Sequence, residues 1–470
     1  MPSIRLLALC AALAALPANA YSQDVETELQ SVKQQMKMIQ ATYQRQIDAL
    51  MARISSLESQ QQQGKAGAQV ASATAAAAAA AAATATDNAP GPASRPATPA
   101  GRNFQIGLSA MGTAGGSSVD TDTLRNLQAG DHDPRKNGFT IQNVELALGG
   151  TVDPYFDARA HISVKIDDDG ETEVELEEAY ATTRALPYGL QVKAGHFFTE
   201  FGRANVMHPH SWDFVDQPVV LSRLLGGDGQ RAPGARVSWL TPLPWFSELT
   251  AAVQNSKGET VASFLSEAGE TVGGHVLMER DIRNLGDLLY TGRWMNGFDA
   301  TDNLSVNLGV SGAFGPNATG NTTDTYLIGG DVYFKWQPDQ TVRGFPFVAF
   351  QGEGVYRNYE AGDRSDPTRE ILEDLGIYVQ GTWGFTPGWV AGMRVEHATG
   401  DGNNNADPMR DNRWRISPAL TWFPTEFSKL RLQYNRDWAD HLVRADGDRT
   451  ADTVWFQVEF ALGDHFAHTF

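Results

Sequence analysis

The chain has 470 residues and a formal net charge of −19 at pH 7. That acidity argues against nucleic acid as a partner. Cys10 is the only cysteine and lies in an apolar N-terminal stretch, so the rest of the chain holds neither a disulfide framework nor a cysteine-ligated zinc site.

Residues 1–20, MPSIRLLALCAALAALPANA, carry Arg5, then an apolar run from Leu6 to Leu16, and end in Ala18-Asn19-Ala20. This is the pattern of a secretory signal peptide cleaved after Ala20. The run is too short to span a membrane, and no run of about eighteen apolar residues follows it. An exported chain of this kind is periplasmic, secreted or an outer-membrane barrel.

Residues 21–60 carry a heptad seam. Val25, Leu29, Val32, Met36, Ile39 and Tyr43 alternate in steps of four and three, and Ile47, Leu50, Ile54 and Leu57 resume the seam after one extra four-residue step. The pattern predicts a short coiled-coil helix with a stutter between Tyr43 and Ile47. Its polar remainder favours self-association in an oligomeric coiled coil, and a homotrimer, joined through barrel walls and coiled coil, is the expectation for a porin. Residues 61–103 are rich in Gln, Ala and Pro and offer nothing to pack, as a linker does.

From Phe104 to Phe470 the pattern changes to period two. Phe156, Ala158, Ala160, Ile162, Val164 and Ile166 alternate with Asp157, Arg159, His161, Ser163 and Lys165; Val454, Phe456, Val458, Phe460 and Leu462 alternate with Trp455, Gln457, Glu459 and Ala461. Such alternation suits a soluble sandwich as well as a barrel. Connection lengths separate the two. Short, mostly Pro-containing turns are expected at 153–154, 186–189, 241–244, 300–302, 337–339, 386–388 and 423–425. They interleave with longer connections near 116–137, 167–171, 202–232, 256–288, 315–323, 359–370, 401–411 and 441–450. Seven short turns and eight long loops predict an all-β fold, an antiparallel transmembrane barrel of about 16 strands over residues 104–470. An even strand count puts both barrel ends, and with them the coiled coil, on the periplasmic side. Trp239, Trp245, Trp336, Trp389 and Trp422 stand near expected strand ends, as interface girdles require, and Phe470 closes the chain with the terminal aromatic of outer-membrane barrels.

The plan of signal, short coiled coil and about 16 strands resembles the phosphate-selective porin O and P barrels. The segment from Glu145 to Pro218, running from ELALGGTVDPYFDARA through EVELEEAYATTRALPYGLQVKAGHFFTEFGRANVMHPHSWDFVDQP, is similar to uncharacterised barrels labelled zinc-regulated TonB-dependent outer membrane receptors. The resemblance implies an outer-membrane location, with membrane lipid and a small-molecule or ion solute as partners. TonB-dependent receptors carry a plug domain before the barrel, whereas only the coiled coil and linker precede Phe104.

Basic side chains expected to face the lumen are Arg159, Lys165, Lys193, Arg236, Lys335, Arg394, Arg413, Arg415 and Arg431; Glu145, Glu175, Glu177, Asp331, Glu396 and Glu459 are among the acids on the same side. Arg394, Arg413, Arg415 and Arg431 could form a local anion track or pair with Glu396 and loop acids. Asp401, Asn403, Asn405 and Asp407 offer calcium-type oxygen ligands at alternate positions, without the sixth-position Gly or distal Glu of an EF-hand. Glu177 and Glu178, with His196, could be drawn as acid/base chemistry, but adjacent strand residues face opposite sides unless a bulge intervenes. No Ser/His/Asp order stands out, and a non-enzyme is expected.

The stretch NVMHPHSWDFVDQP, residues 205–218, falls in the third outer loop. Pro209 keeps His208 extended, so His208 and His210 could face one way. With Asp213 or Asp216 they could hold zinc; alternatively His and Asp side chains bond one another while Trp212 and Phe214 wedge the loop against the wall. The expectation is a porin for passive diffusion of small hydrophilic solutes or ions, with His208, His210, Trp212, Asp213 and Asp216 at its constriction. A metal-responsive, receptor-like barrel with a plugged lumen and an envelope-tethering structural protein are the alternatives.

Overall fold

Strands with one apolar face can satisfy every backbone group in lipid only by closing on themselves. They do so here. In a computed structural model that describes residues 104–463, apart from 168–169, 364–365, 402–406 and 443–446, sixteen antiparallel strands form one closed barrel. In chain order they are β1 (Phe104–Ser117), β2 (Gly138–Thr151), β3 (Phe156–Ile166), β4 (Thr172–Thr183), β5 (Leu190–Phe198), β6 (Arg231–Leu240), β7 (Phe246–Asn255), β10 (Leu288–Thr301), β11 (Leu304–Pro316), β12 (Asp324–Trp336), β13 (Phe347–Ala361), β14 (Glu370–Thr386), β15 (Trp389–Gly400), β16 (Arg413–Thr425), β17 (Ser428–Ala439) and β18 (Thr450–Gly463). A two-stranded hairpin, β8 (Thr271–Val272) and β9 (His275–Val276), sits in the fourth outer loop, and two short helices, α1 (Thr121–Leu127) and α2 (Val219–Leu225), lie in the first and third. Pairing of Gly107 with Gly463 and Ser117 with Thr453 joins β1 to β18 and removes the sheet edge.

The expected signal peptide, coiled coil, linker and terminal Phe470, and most of the 401–407 calcium loop, lie outside the described residues. Within the barrel, each expected turn and loop joins a successive pair of strands, with two local differences. The turn expected at 337–339 extends through residue 346, where Val342 bridges Phe345. The turn expected at 423–425 falls at 426–427, and Pro424 lies within β16, one residue before its end.

The two faces of the sheet meet opposite environments. On β14, Ile371, Leu375, Ile377, Val379 and Trp383 point outward and are exposed, while Leu372, Asp374, Tyr378 and Gln380 are buried inside. The same division holds on β18, where Val454, Phe456, Phe460 and Leu462 face out and Trp455, Gln457 and Glu459 face in. An apolar outward band of this kind is what a barrel that crosses a bilayer requires. Trp239, Trp245, Trp336, Trp389 and Trp422 are exposed near the short-turn end, and the rings of Trp389 and Trp422 stack at 5.7 Å.

The third outer loop, residues 199–230, folds into the lumen. Phe201, Val220, Leu221, Leu224 and Leu225 from this loop pack with Val261 and Phe264 of the fourth loop and Leu289, Leu327, Val355 and Tyr378 of the wall. Glycine makes room for that approach: a Cβ on Gly376 would stand 2.3 Å from Val220 Cγ2.

Candidate functional site

The lumen side chains in mid-barrel are organised around this loop. Its descending arm meets β13, the strand opposite β3 in the closed order. Arg203 N–H and Ala204 N–H donate to the Glu353 carboxylate at 3.1 and 2.7 Å, and Tyr378 Oη donates to it at 2.6 Å. Gly202, at φ 66°, lets the backbone pass, since a Cβ there would lie 2.2 Å from Glu353 Oε2. Gly202 N–H also donates to Ser311 Oγ on β11 at 3.0 Å.

Six residues after Gly202 the loop reaches the opposite wall. His208 Nδ1 donates to Glu177 Oε2 at 2.9 Å and lies 3.3 Å from Glu145 Oε1; His208 Nε2 is 3.1 Å from Glu178 Oε2. Glu145 also meets His161 Nδ1 through Oε1 at 2.7 Å and His210 Nδ1 through Oε2 at 2.8 Å. The His161 and His208 rings stack at 4.3 Å. Burial alone would lower the pKa of His208, but the Glu145 charge and the hydrogen bonds to Glu177 and Glu178 hold it well above the usual imidazole value.

Two adjacent glutamates reach one histidine because β4 carries a bulge. The register jumps from His161↔Glu178 to Ile162↔Leu176, leaving Glu177 unpaired and both carboxylates inside. The proviso attached to this pair at the sequence level is therefore met. Their partner is His208 of the loop, not His196. Glu177 continues inward through Oε1, 3.3 Å from His132 Nε2, which lies 3.1 Å from Asp228 Oδ1.

A second anchor lies at Asp216. Its carboxylate accepts from Arg394 (2.5 Å), Arg415 (2.9 Å), Gln433 (2.8 Å), Asn435 (2.7 Å) and Gln128 (3.2 Å). Burial would raise this acid, but the two guanidiniums more than offset it and hold its pKa well below the usual carboxylate range. Val215 N–H and Val219 N–H, on either side, donate to Gln433 Oε1 and Glu396 Oε2 at 2.7 and 2.6 Å. Beside α2 a cavity of about 250 Å³ is lined in part by Arg223, Arg357, Asp374 and Arg410.

Of the residues singled out from sequence, His208 and His210 converge on Glu145, while Asp216 belongs to the arginine clamp. Asp213, expected as a zinc ligand with the two histidines, stands apart: it is exposed and accepts from Gln380 Nε2 at 3.1 Å. It follows the short helical turn at Pro209–Ser211 and meets β14, whereas the two histidines meet β2 and β4. Trp212 donates through Nε1 to Met207 O at 3.0 Å, and its carbonyl accepts from Arg431 at 2.7 Å. The arginine group is paired, not a free anion track: Arg394 bonds Asp216 and Glu396, Arg413 and Arg415 bond Asp437, and Arg431 bonds Gln457. Lys165 approaches Asp228 at 3.5 Å, and Lys193 and Arg236 share Glu200. Arg159 is on the lumen face but exposed, near the short-turn end. Sequence reasoning placed His161 on the inward face without assigning it to the site, and it missed His132 and Asp228. The alternation around His161 was the available signal; the loop residues gave none.

No family model matches the chain. An uncharacterised protein of Aquifex aeolicus (strain VF5) is 33% identical over 354 residues, which cover 71% of each chain. Among solved structures, the outer membrane channel DcaP of Acinetobacter baumannii aligns with a TM-score of 0.50 at 13% identity, covering 77% of this chain and 97% of that one. An anion-selective porin from Comamonas acidovorans aligns at 0.47 and 9% identity, over 76% of this chain and 98% of that one. At 13% identity the likeness to DcaP is one of fold.

Proposed function

The chain belongs to the same family as the uncharacterised Aquifex aeolicus protein, and from its barrel and lumen we propose that it is an outer-membrane channel whose third outer loop sets the passage. The observation that carries this reading is the loop's course: it is bonded to β13 through Glu353 and to β4 through Glu177. Exposed Arg159, on the lumen face near the short turns, supports a wet vestibule on that side. A wet vestibule narrowed by one folded loop suits small hydrophilic solutes or ions better than large ones. Because the arginines beside the loop are neutralised by Asp216, Glu396 and Asp437, the lumen offers no unpaired basic ladder for phosphate among the described residues. The heptad seam of residues 21–60 supports a trimer with its coiled coil in the periplasm.

Purified protein in a planar bilayer should conduct in discrete steps, in triplets for a trimer, and deletion of residues 219–229 should enlarge each step. Silence from well-folded wild type and deletion variant alike would remove the channel reading. Silence from wild type with steps from the deletion variant would favour a plugged, receptor-like barrel, a reading that the loop's anchors on both walls also support.

A further inference from the structure

We propose that Glu145, His161 and His208, with Glu177 as a fourth donor, form a site for a divalent transition-metal ion that pins the third outer loop to the β2–β4 wall. Ion binding stands apart from the channel reading; only its consequence for the loop rests on it.

Glu145 Oε1 lies 2.7 Å from His161 Nδ1 and 3.3 Å from His208 Nδ1, and Glu177 Oε2 lies 2.9 Å from His208 Nδ1. One ligand atom from each of Glu145, His161 and His208 falls within 4.8 Å of the others, and all three residues are buried. A tetrahedral ion bound at about 2.0–2.1 Å sets its donors roughly 3.4 Å apart. A slight opening of the cluster therefore admits it, and imidazole with carboxylate is a donor set for zinc-class ions.

Charge balance points the same way. Among the described residues, every ion pair of the buried acids Glu145, Glu177 and Glu178 is with a histidine. Buried carboxylates need compensation. A divalent cation held by neutral imidazoles supplies two of those three charges. The neighbouring group of His132, Glu175 and Asp228 makes the contrast: Arg231 pairs with both acids and Lys165 stands 3.5 Å from Asp228, so its balance is met by the chain itself.

A regular β4 would turn one of Glu177 and Glu178 to the lipid side; the extra residue keeps both around His208. The site joins strand residues to a single loop histidine, so an ion there ties the loop to the wall.

The test uses untagged, full-length, chelator-stripped protein, folded in detergent and titrated with zinc by calorimetry. One zinc should bind per chain. Glu145→Gln and His161→Gln should each weaken it at least about tenfold, the loss typical even of outer-shell partners. His275→Gln, at a loop histidine paired with Glu370, should leave it unchanged. Cobalt added to the wild type should give the visible absorption of a four-coordinate nitrogen–oxygen site, which needs no variant to fold. Absence of saturable binding to folded wild type, or unchanged affinity in both the Glu145 and His161 variants, overturns the proposal. In bilayers, zinc should alter wild-type conductance and leave His161→Gln unaffected. Protein that binds zinc with these ligands but carries no current, with or without residues 219–229, sustains the site and removes the channel reading; protein that conducts but binds none does the reverse.

Discussion

Ala204 and His208 stand four residues apart in sequence and are tied to nearly opposite walls of the barrel. Ala204 N–H donates to Glu353 on β13 at 2.7 Å, and His208 Nδ1 to Glu177 on β4 at 2.9 Å. An extended chain covers only about 3.3–3.6 Å per residue, so the long side chains of the two walls must reach in to meet the loop. Shortening Glu353 should therefore release one end of the brace. Glu353→Ala leaves two loop N–H groups and the Tyr378 hydroxyl without their acceptor, at about 1–3 kcal/mol for each buried group left unsatisfied. The expected outcome is an intact barrel with larger conductance steps and new protease cleavage within residues 199–230. Unchanged steps and cleavage would show that the loop does not depend on Glu353.

Asp216 holds the rest of the loop, and its substitution should be the more damaging. Asp216→Ala withdraws a carboxylate from two buried guanidiniums, although Arg394 keeps Glu396 and Arg415 keeps Asp437. Breaking a buried pair from one side costs about 3–5 kcal/mol, so a lower thermal midpoint and a wider channel are expected. The pH dependence follows from the depressed pKa of Asp216. An acid whose folded pKa lies below its unfolded value contributes stability that is present above the unfolded value and lost only as pH falls through the folded one. Loop docking should thus persist from neutral pH to below about 4, the ordinary range for aspartate, and weaken only in stronger acid. A conductance rise between pH 7 and 5 that Asp216→Asn abolishes would contradict this.

How much of this was legible beforehand depended on the range of the interaction. Period-two faces and Pro-marked turns are local, so Ile162 against Ser163 and Val454 against Trp455 could be assigned directly from their neighbours. Pro424 misled because it marked a turn that begins two residues later. The Glu145, Glu177, His161 and His208 cluster is assembled from three strands and a loop, and no window of sequence contains it. The bulge was equally hidden: alternation through Leu176 and Tyr180 has one residue too many, but nothing local says which residue is extra. Pairing across β3 decides that.

That bulge yields a prediction about tolerance. Deleting Glu177 removes the unpaired residue and leaves Leu176 facing out and Glu178 facing in, so β4 keeps its register with β3. The variant should fold into detergent or lipid as the wild type does, with weakened loop docking. Deleting Val164 from the regular part of β3 removes a paired residue and flips the faces of every residue on one side of it. That variant should fail to fold, as judged by heat-modifiable mobility. Equal behaviour of the two deletions would mean that the bulge is not where the register places it.

The outward face provides the last test, one that separates lipid from water as the barrel's surroundings. Ile377 lies midway along β14 and is 49% exposed, while its neighbour Tyr378 points into the lumen and is buried. If acyl chains cover Ile377, Ile377→Arg should cost about 2–4 kcal/mol in lipid vesicles, the penalty for a cation near the bilayer midplane. The same substitution at Ile371, 54% exposed near the outer end of β14, should cost about 0–1 kcal/mol, since a long side chain there reaches the headgroups. Urea titration of both variants in vesicles gives the two values. A surface in contact with water would tolerate arginine equally at either position, so the ratio between the two costs, more than either alone, reports where β14 crosses the membrane.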